Sequence, residues 1–317
     1  MSAASRGREA AFWLLPLAAF FVFPEHRVLG SQVLIAAIFA LSLDLVLGYA
    51  GIVSLGHAAF FGLGAYTAGL LAVHGWGEPL SGLAAAAAVA ALAGLAFSPL
   101  VVRGEDLSRL LVTLGLGLVL FEAANKAAFV TGGVDGLPGV AMGKLLGTFS
   151  FDLAGSTAFL YAFAALLLVF ALLRRVVASP FGLALRAVRD NPARASAIGV
   201  PPARRLAAAF TLSAAIAGLA GGLLAQTTQF VGLDTLGFQR SAELLIILVL
   251  GGAGRLYGAI VGAGIFMLAQ DYLAGLNPVY WQFWIGLLLV VIVLFARGGV
   301  LGAADGALRA LRRKAAR

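Results

Sequence analysis

The sequence predicts an all-α protein that crosses a lipid bilayer about eight to ten times, with interrupted segments among its helices. Apolar residues make up 62% of the 317 residues, charged residues make up only 11%, and the mean hydropathy is +1.01. An ordinary soluble domain has about a quarter charged residues, so this chain has too few to cover a water-facing surface. We therefore treat residues 1–317 as a single transmembrane domain.

Ten apolar runs follow one another along the chain and are the candidate spans. Their approximate limits are 11–23, 29–47, 57–73, 80–102, 110–130, 156–173, 206–230, 241–252, 257–273 and 281–295. The first and the eighth are shorter than the roughly 17 residues that a perpendicular helix needs, so each is either a half-helix or begins earlier. Arg6 and Arg8 precede the first run as in a signal peptide, but the many later runs indicate a retained span.

Positive residues are distributed unequally between the two sides of this predicted bundle. If the N-terminus is cytoplasmic and every candidate crosses, all of the 22 lysines and arginines lie inside except Arg27, Lys126, Lys144 and Arg240. The positive-inside rule favours this orientation, with both termini and a basic tail at 303–317 in the cytoplasm. The net charge of +8 then reflects membrane orientation, and we predict a lipid bilayer and no nucleic acid as the surroundings of the chain.

Two loops are long enough to do more than connect spans. The outer loop, 131–155, is rich in turn residues and is predicted either to face a soluble partner or to cap the bundle. The inner loop, 174–205, carries seven arginines and two short helical patterns, 181–188 and a second that ends near Gly199. It is either a solvated basic loop or a docking element.

Several classes of chemistry lack their motif. No Gly-x-x-x-x-Gly-Lys-Ser/Thr is present, so the chain does not bind ATP through a P-loop. The histidines His26, His57 and His74 are scattered singly, Gly-x-Ser-x-Gly is absent, and the chain has no cysteine. We predict no enzyme activity, no cofactor, no metal site and no disulfide.

The segment 47–66 interrupts an otherwise membrane-suited sequence. Glycines at positions 48, 51 and 56 break the apolar pattern, and broken helices are tolerated in a membrane only where protein or water satisfies the backbone. Gly62 and Gly64 are equally well explained by close helix packing. The break itself predicts a substrate pathway, to which we assign Tyr49, Gly51, Ser54, Gly56 and His57.

A similar pattern and three carboxylates add to this pathway. Residues 249–254 echo residues 46–51, and repeats of this kind frame the substrate path in many transporters. Within or beside the spans lie Asp44, Glu122 and Glu243, where a carboxylate costs about 3 kcal/mol near the bilayer centre. They serve either a pathway or buried structural hydrogen bonds. The additional pathway candidates are Asp44, Glu243, Gly251 and Gly254.

Five ordered motifs, spread from about residue 40 to residue 302, resemble one family. The motifs lie at 47–66, 131–137, 179–191, 249–254 and 297–302. Together they resemble the branched-chain amino acid ABC transporter permeases, in particular the LivM-like branch. Two positions depart from the family pattern, since Asp44 stands where asparagine is usual and Ser196 where glutamate is common.

The resemblance implies a bacterial inner-membrane importer with several subunits. Its partners would be a second LivH-like permease, two ABC ATPase subunits and a periplasmic solute-binding protein. The loop 174–205 would hold the cytoplasmic coupling element, with these candidate residues: Phe181, Leu185, Arg186, Arg189, Asn191 and Gly199. Solute would move by alternating access, driven by the partner ATPases.

Two alternatives remain open at this point. Related permeases carry urea or short amides, so the resemblance does not decide the solute. An ion-coupled secondary transporter would instead bind its driving cation at Asp44, Glu122 and Glu243.

Overall fold

The computed structural model describes residues 3–152, 154–295 and 298–303. Its α-helices are α1 Ala3–Val22, α2 Arg27–Asp44, α3 Ala58–Val73, α4 Pro79–Arg103, α5 Asp106–Lys126, α6 Ala128–Thr131, α7 Ser156–Ala178, α8 Pro180–Asp190, α9 Pro192–Ala197, α10 Pro202–Thr228, α11 Phe238–Gly251, α12 Leu256–Leu276 and α13 Trp281–Phe295. In this part of the chain β-structure is limited to isolated bridges. The all-α prediction is confirmed. The predicted basic tail lies outside the described residues, apart from Ala303.

Each of the ten predicted spans contains a helix. Among the described residues, six helices are long and apolar enough to cross a membrane, and the first of these runs from Pro24 to Tyr49. The first candidate span begins earlier than its apolar run, because α1 already starts at Ala3. The eighth remains short, since α11 has 14 residues and spans about 21 Å.

At the end of the bundle opposite α8, hydrogen bonds join the loop 131–155 to neighbouring loops. Gly143 N donates to Gly77 O over 2.8 Å, and Leu137 N donates to Val231 O over 2.8 Å. The loop 131–155 therefore caps the bundle, one of the two roles predicted for it.

At the start of α4, Ser81 donates hydrogen bonds to Glu78, and these hold the pKa of Glu78 below its ordinary value.

The centre of the bundle is α10, which packs against α2, α3 and α4. Close approach is possible because small residues face each other: the backbone of Gly218 lies directly against Gly64 of α3, where a side chain would not fit. In the same region the rings of Phe60 and Phe210 meet edge to face at 5.3 Å. The packing explanation for Gly64 is thus the one that the structure supports.

The least embedded of the six spans is α5. Only 11% of its apolar window is buried, whereas 67% is buried in the spans Pro24–Tyr49 and Pro202–Thr228. Its exposed apolar surface is available to lipid or to another membrane chain.

Candidate functional site

The helix α2 is broken at the end nearest α8. After Asp44 the backbone widens into one π-helical turn, Leu45–Tyr49, in which Ala50 N donates to Leu45 O over 3.2 Å. The chain then runs without helix until α3 begins at Ala58, and Gly51 adopts a φ of +76°. A side chain is strained in that left-handed region, so the glycine makes this path possible. The predicted interruption of the helix is confirmed.

The turn after α11 lies directly against this broken end. Gly254, with a φ of +79°, donates its backbone N–H to Asp44 Oδ1 over 2.6 Å. Asp44 is completely buried, and its second carboxylate oxygen has no partner among the described residues. Asp44 therefore joins the two glycine-rich segments whose sequences echo each other.

The helix α8 also contacts the broken end of α2. Arg189 Nη1 donates to the carbonyl oxygen of Gly48 over 2.5 Å, and the aliphatic part of Arg189 lies beside Gly51. The guanidinium carbon of Arg186 lies 5.5 Å from the ring centre of Tyr49. Two predicted coupling residues thus contact residues that were predicted to belong to the pathway.

A second group of polar side chains is buried deeper in the bundle, around His57. Its Nε2 lies 3.0 Å from Ser42 Oγ and 3.2 Å from Ser213 Oγ. Both hydroxyl hydrogens are already used, because Ser42 donates to Phe39 O and Ser213 donates to Ser42 O. His57 Nε2 must therefore carry the hydrogen, which leaves Nδ1 as an acceptor without a partner in the described part of the chain.

The same segment contacts two neighbouring helices. Ala58 N, at the start of α3, donates to Ser241 Oγ of α11 over 2.9 Å, and Leu55 N donates to Thr113 Oγ1 of α5 over 3.2 Å. Gly56 lies so close to the carbonyl of Thr113 that no side chain fits there. The two short helices α3 and α11 thus begin beside one another inside the bundle.

The remaining pathway candidates are less closely associated. Ser54 is buried beside this group, with no hydrogen-bond partner among the described residues. Gly251 lies against the backbone of Gly258 and Gly262, which is a packing contact between α11 and α12. Glu243 lies near the opposite face, where it pairs with Arg240. The structure therefore divides the nine predicted residues among four places.

The inner loop folds into α8 and α9, which matches its two predicted helical patterns. Phe181 is half-buried, with the guanidinium carbon of Arg205 5.7 Å from its ring centre. Asn191 Oδ1 accepts a hydrogen bond from Arg194 N over 2.9 Å and so caps α9, and Gly199 turns the chain after it with a φ of +84°.

One of the candidate coupling residues, Leu185, does not lie at the surface of α8. Leu185 was expected among the residues that face a partner, but its side chain is completely buried, because α8 packs this side against the bundle. The large apolar side chains that are exposed here are Leu183 on α8 and Ile198, directly after α9.

Sequence reasoning also missed Ser42 and Ser213 as partners of His57. Neither stands in a motif, and Ser213 is 156 residues away from His57 along the chain. The pairing of Arg240 with Glu243 could have been predicted from the sequence, since a separation of three residues places both side chains on one side of a helix.

A bundle of apolar helices with broken segments and a helical element on one face defines a polytopic membrane transport protein. The chain belongs to the family described as branched-chain amino acid transport system / permease component, whose model matches residues 29–294. It is a membrane permease.

Curated relatives agree with this assignment. The high-affinity branched-chain amino acid transport system permease protein LivM of Salmonella typhimurium is 32% identical over 299 residues, covering 86% of this chain and 69% of the relative. LivH of Escherichia coli, from a system of the same name, is 25% identical over 283 residues, covering 84% and 91%. The autoinducer 2 import system permease protein LsrC of an Enterobacter strain is 33% identical over 265 residues, covering 79% and 72%. No solved structure gives a significant match.

Proposed function

We propose that this permease is the translocating subunit of an ATP-driven importer in the bacterial inner membrane, with a branched-chain or related amino acid as its solute. The names of the LivM and LivH relatives support this solute. The LsrC relative favours a second possible solute, autoinducer 2, which its name gives. The partners would be a LivH-like permease, two ABC ATPase subunits and a periplasmic binding protein.

The observation that carries this proposal is the contact between α8 and the broken end of α2. A helix on the membrane surface can transmit the motion of an ATPase only if it is joined to an element that changes shape. Here Arg189 holds the Gly48 carbonyl, and Asp44 in turn holds Gly254. Movement of α8 would therefore displace two interrupted segments together and alternate access to the pathway.

The ion-coupled alternative finds less support. Its three carboxylates do not share a site, since Asp44 accepts the Gly254 N–H, Glu243 pairs with Arg240, and Glu122 is exposed on α5. In the described part of the chain, no group of three acidic, histidine or cysteine residues is placed to hold a metal ion.

Removal of the Arg189 guanidinium should separate ATP hydrolysis from transport. A hydrogen bond from a charged donor is worth about 1.5–3 kcal/mol, so we expect Arg189→Ala to lower uptake per ATP hydrolysed at least about tenfold. Arg189→Lys should recover part of the uptake because its ammonium group is still a charged hydrogen-bond donor. The measurement is solute uptake and ATP hydrolysis by the complete complex in proteoliposomes.

Arg175→Ala serves as the matched control, because it removes the same charge from an exposed site before α8. An unchanged ratio of uptake to hydrolysis in Arg189→Ala would contradict the transmission role. Loss of the ATPase subunits on purification would make Arg189 a docking residue instead.

The proposed orientation can be tested by cysteine labelling, since the natural chain contains no cysteine. Ala193, Gly139 and Ala303 are exposed. Single cysteines at positions 193 and 303 should react with a membrane-impermeant thiol reagent only from the cytoplasm, and one at position 139 only from outside. Labelling of position 193 from outside would reverse the topology.

A further inference from the structure

A cavity of about 250 Å³ lies between α2, α3, α10, α11 and α12 and opens towards the face opposite α8. Its wall is largely apolar and includes Ile35, Leu244, Ile247 and Phe266. At its deep end the rings of Phe39 and Phe61 lie 4.4 Å apart. Phe39 also stacks on His57 at 5.9 Å, so the cavity ends directly above the buried histidine group.

Three charged side chains stand at the mouth of this cavity. Asp234, Arg240 and Glu243 also line an adjoining cavity of about 540 Å³, so they are accessible from both spaces. Arg240 Nη1 lies 3.3 Å from Glu243 Oε2, and Arg240 Nη2 lies 3.5 Å from Asp234 Oδ2. Both distances are longer than the roughly 2.7–2.9 Å of a close charge-assisted hydrogen bond, and Glu243 Oε1 also accepts a hydrogen bond from Gln239 Nε2 over 3.3 Å.

The combination of charges and apolar wall restricts the ligand. A simple cation would leave the guanidinium with fewer carboxylate partners, and a simple anion would leave the two carboxylates without their cation. A zwitterion offers one group of each sign, and a site with charged groups of both signs discriminates against a ligand that would leave one of those groups unpaired. The apolar wall favours a third feature, a hydrocarbon side chain.

We propose that this cavity is a solute-binding site for a free α-amino acid with an apolar side chain. Arg240 binds the carboxylate, Glu243 binds the ammonium group, and the side chain lies against Phe39 and Phe61. For its solute class and its outward orientation the site rests on the function proposed above. It would receive the amino acid on the outer side before the broken segments move.

The first test is direct binding of radiolabelled leucine to the purified chain in lipid nanodiscs, without partner subunits. We expect saturable binding that weakens at least about tenfold in Arg240→Gln and in Glu243→Gln. Ala36→Phe, which fills the cavity without changing its charges, should remove binding. The controls are Glu25→Gln and Ala88→Phe, which make the same changes at exposed sites outside both cavities.

Competition distinguishes the zwitterion from simpler ligands. Leucinamide lacks the carboxylate and 4-methylpentanoate lacks the ammonium group, so each should compete at least about tenfold more weakly than leucine. Equal competition by leucinamide would indicate a site for amines and would overturn the proposal. Absence of saturable leucine binding to the unaltered chain up to about 10 mM would also overturn it.

Uptake by the complete complex separates this proposal from the proposed function. If the unaltered complex imports leucine and the three cavity variants import it equally well, the proposed binding site is wrong and the proposed importer function is retained. If the unaltered complex hydrolyses ATP but imports no amino acid, the proposed solute fails regardless of the cavity.

Discussion

Leucine in place of Gly51 or Gly56 should abolish uptake while leaving the protein inserted in the membrane. At position 51 the backbone has a φ of +76°, which costs an ordinary residue about 1–2 kcal/mol, and a new side chain would collide with Arg189. At position 56 a side chain would meet the carbonyl of Thr113 and push the segment away from α5. Overpacking of this kind usually costs about 1–3 kcal/mol.

Both changes act on the segment that joins α2 to α3, so we expect them to alter its path more than the stability of the whole bundle. The measurements are solute uptake by the complete complex, together with membrane insertion and gel filtration of the variant. Gly264→Leu is the matched control, because a side chain at that helical position meets open space. Normal uptake by both Gly51→Leu and Gly56→Leu would show that the broken segment does not contribute to transport.

The second large effect is expected at the exposed surface of α8 and α9. Leu183 is 60% exposed and Ile198 is 71% exposed on the proposed cytoplasmic side, where no lipid tails cover them. Burial of two such side chains in a protein interface contributes about 3 kcal/mol, which is roughly a hundredfold in affinity. Replacement of both with serine should therefore release the ATPase subunits from the purified complex and stop ATP-driven uptake.

The control for this pair is Phe129→Ser with Val134→Ser, which removes exposed apolar side chains from the opposite face. That variant should retain the ATPase subunits. Leu185→Ala should instead lower the stability of the bundle itself. Its side chain is fully buried, and truncation of a core leucine costs about 2–5 kcal/mol of folding free energy. Full retention of the ATPase subunits by the Leu183 and Ile198 double variant would place the docking surface elsewhere.

Local sequence was sufficient to predict the helices and their order. The length of an apolar run decides whether a helix can cross a bilayer, and that length is a property of contiguous residues. The clustered glycines at positions 48, 51 and 56 likewise predicted the break after α2, and Gly51 adopts the left-handed φ that favours glycine. The two short helices of the inner loop were also recognisable from a pattern of contiguous residues.

The direction in which each side chain points depended on neighbouring helices. Leu185 is an apolar residue on an amphipathic helix, and its pattern fits either the bundle or a partner. Because α8 packs against α7 and α10, Leu185 is buried in the bundle and Leu183 is exposed.

By itself, the sequence determined that this protein is a multi-span helical bundle with broken segments, because periodicity, run length and glycine placement are local properties. Only the tertiary structure decided which distant residues meet. Asp44 and Gly254 are 210 residues apart, yet they share a hydrogen bond inside the bundle. A buried carboxylate must find a donor wherever packing brings one within reach, and the order of residues along the chain does not specify which donor that will be.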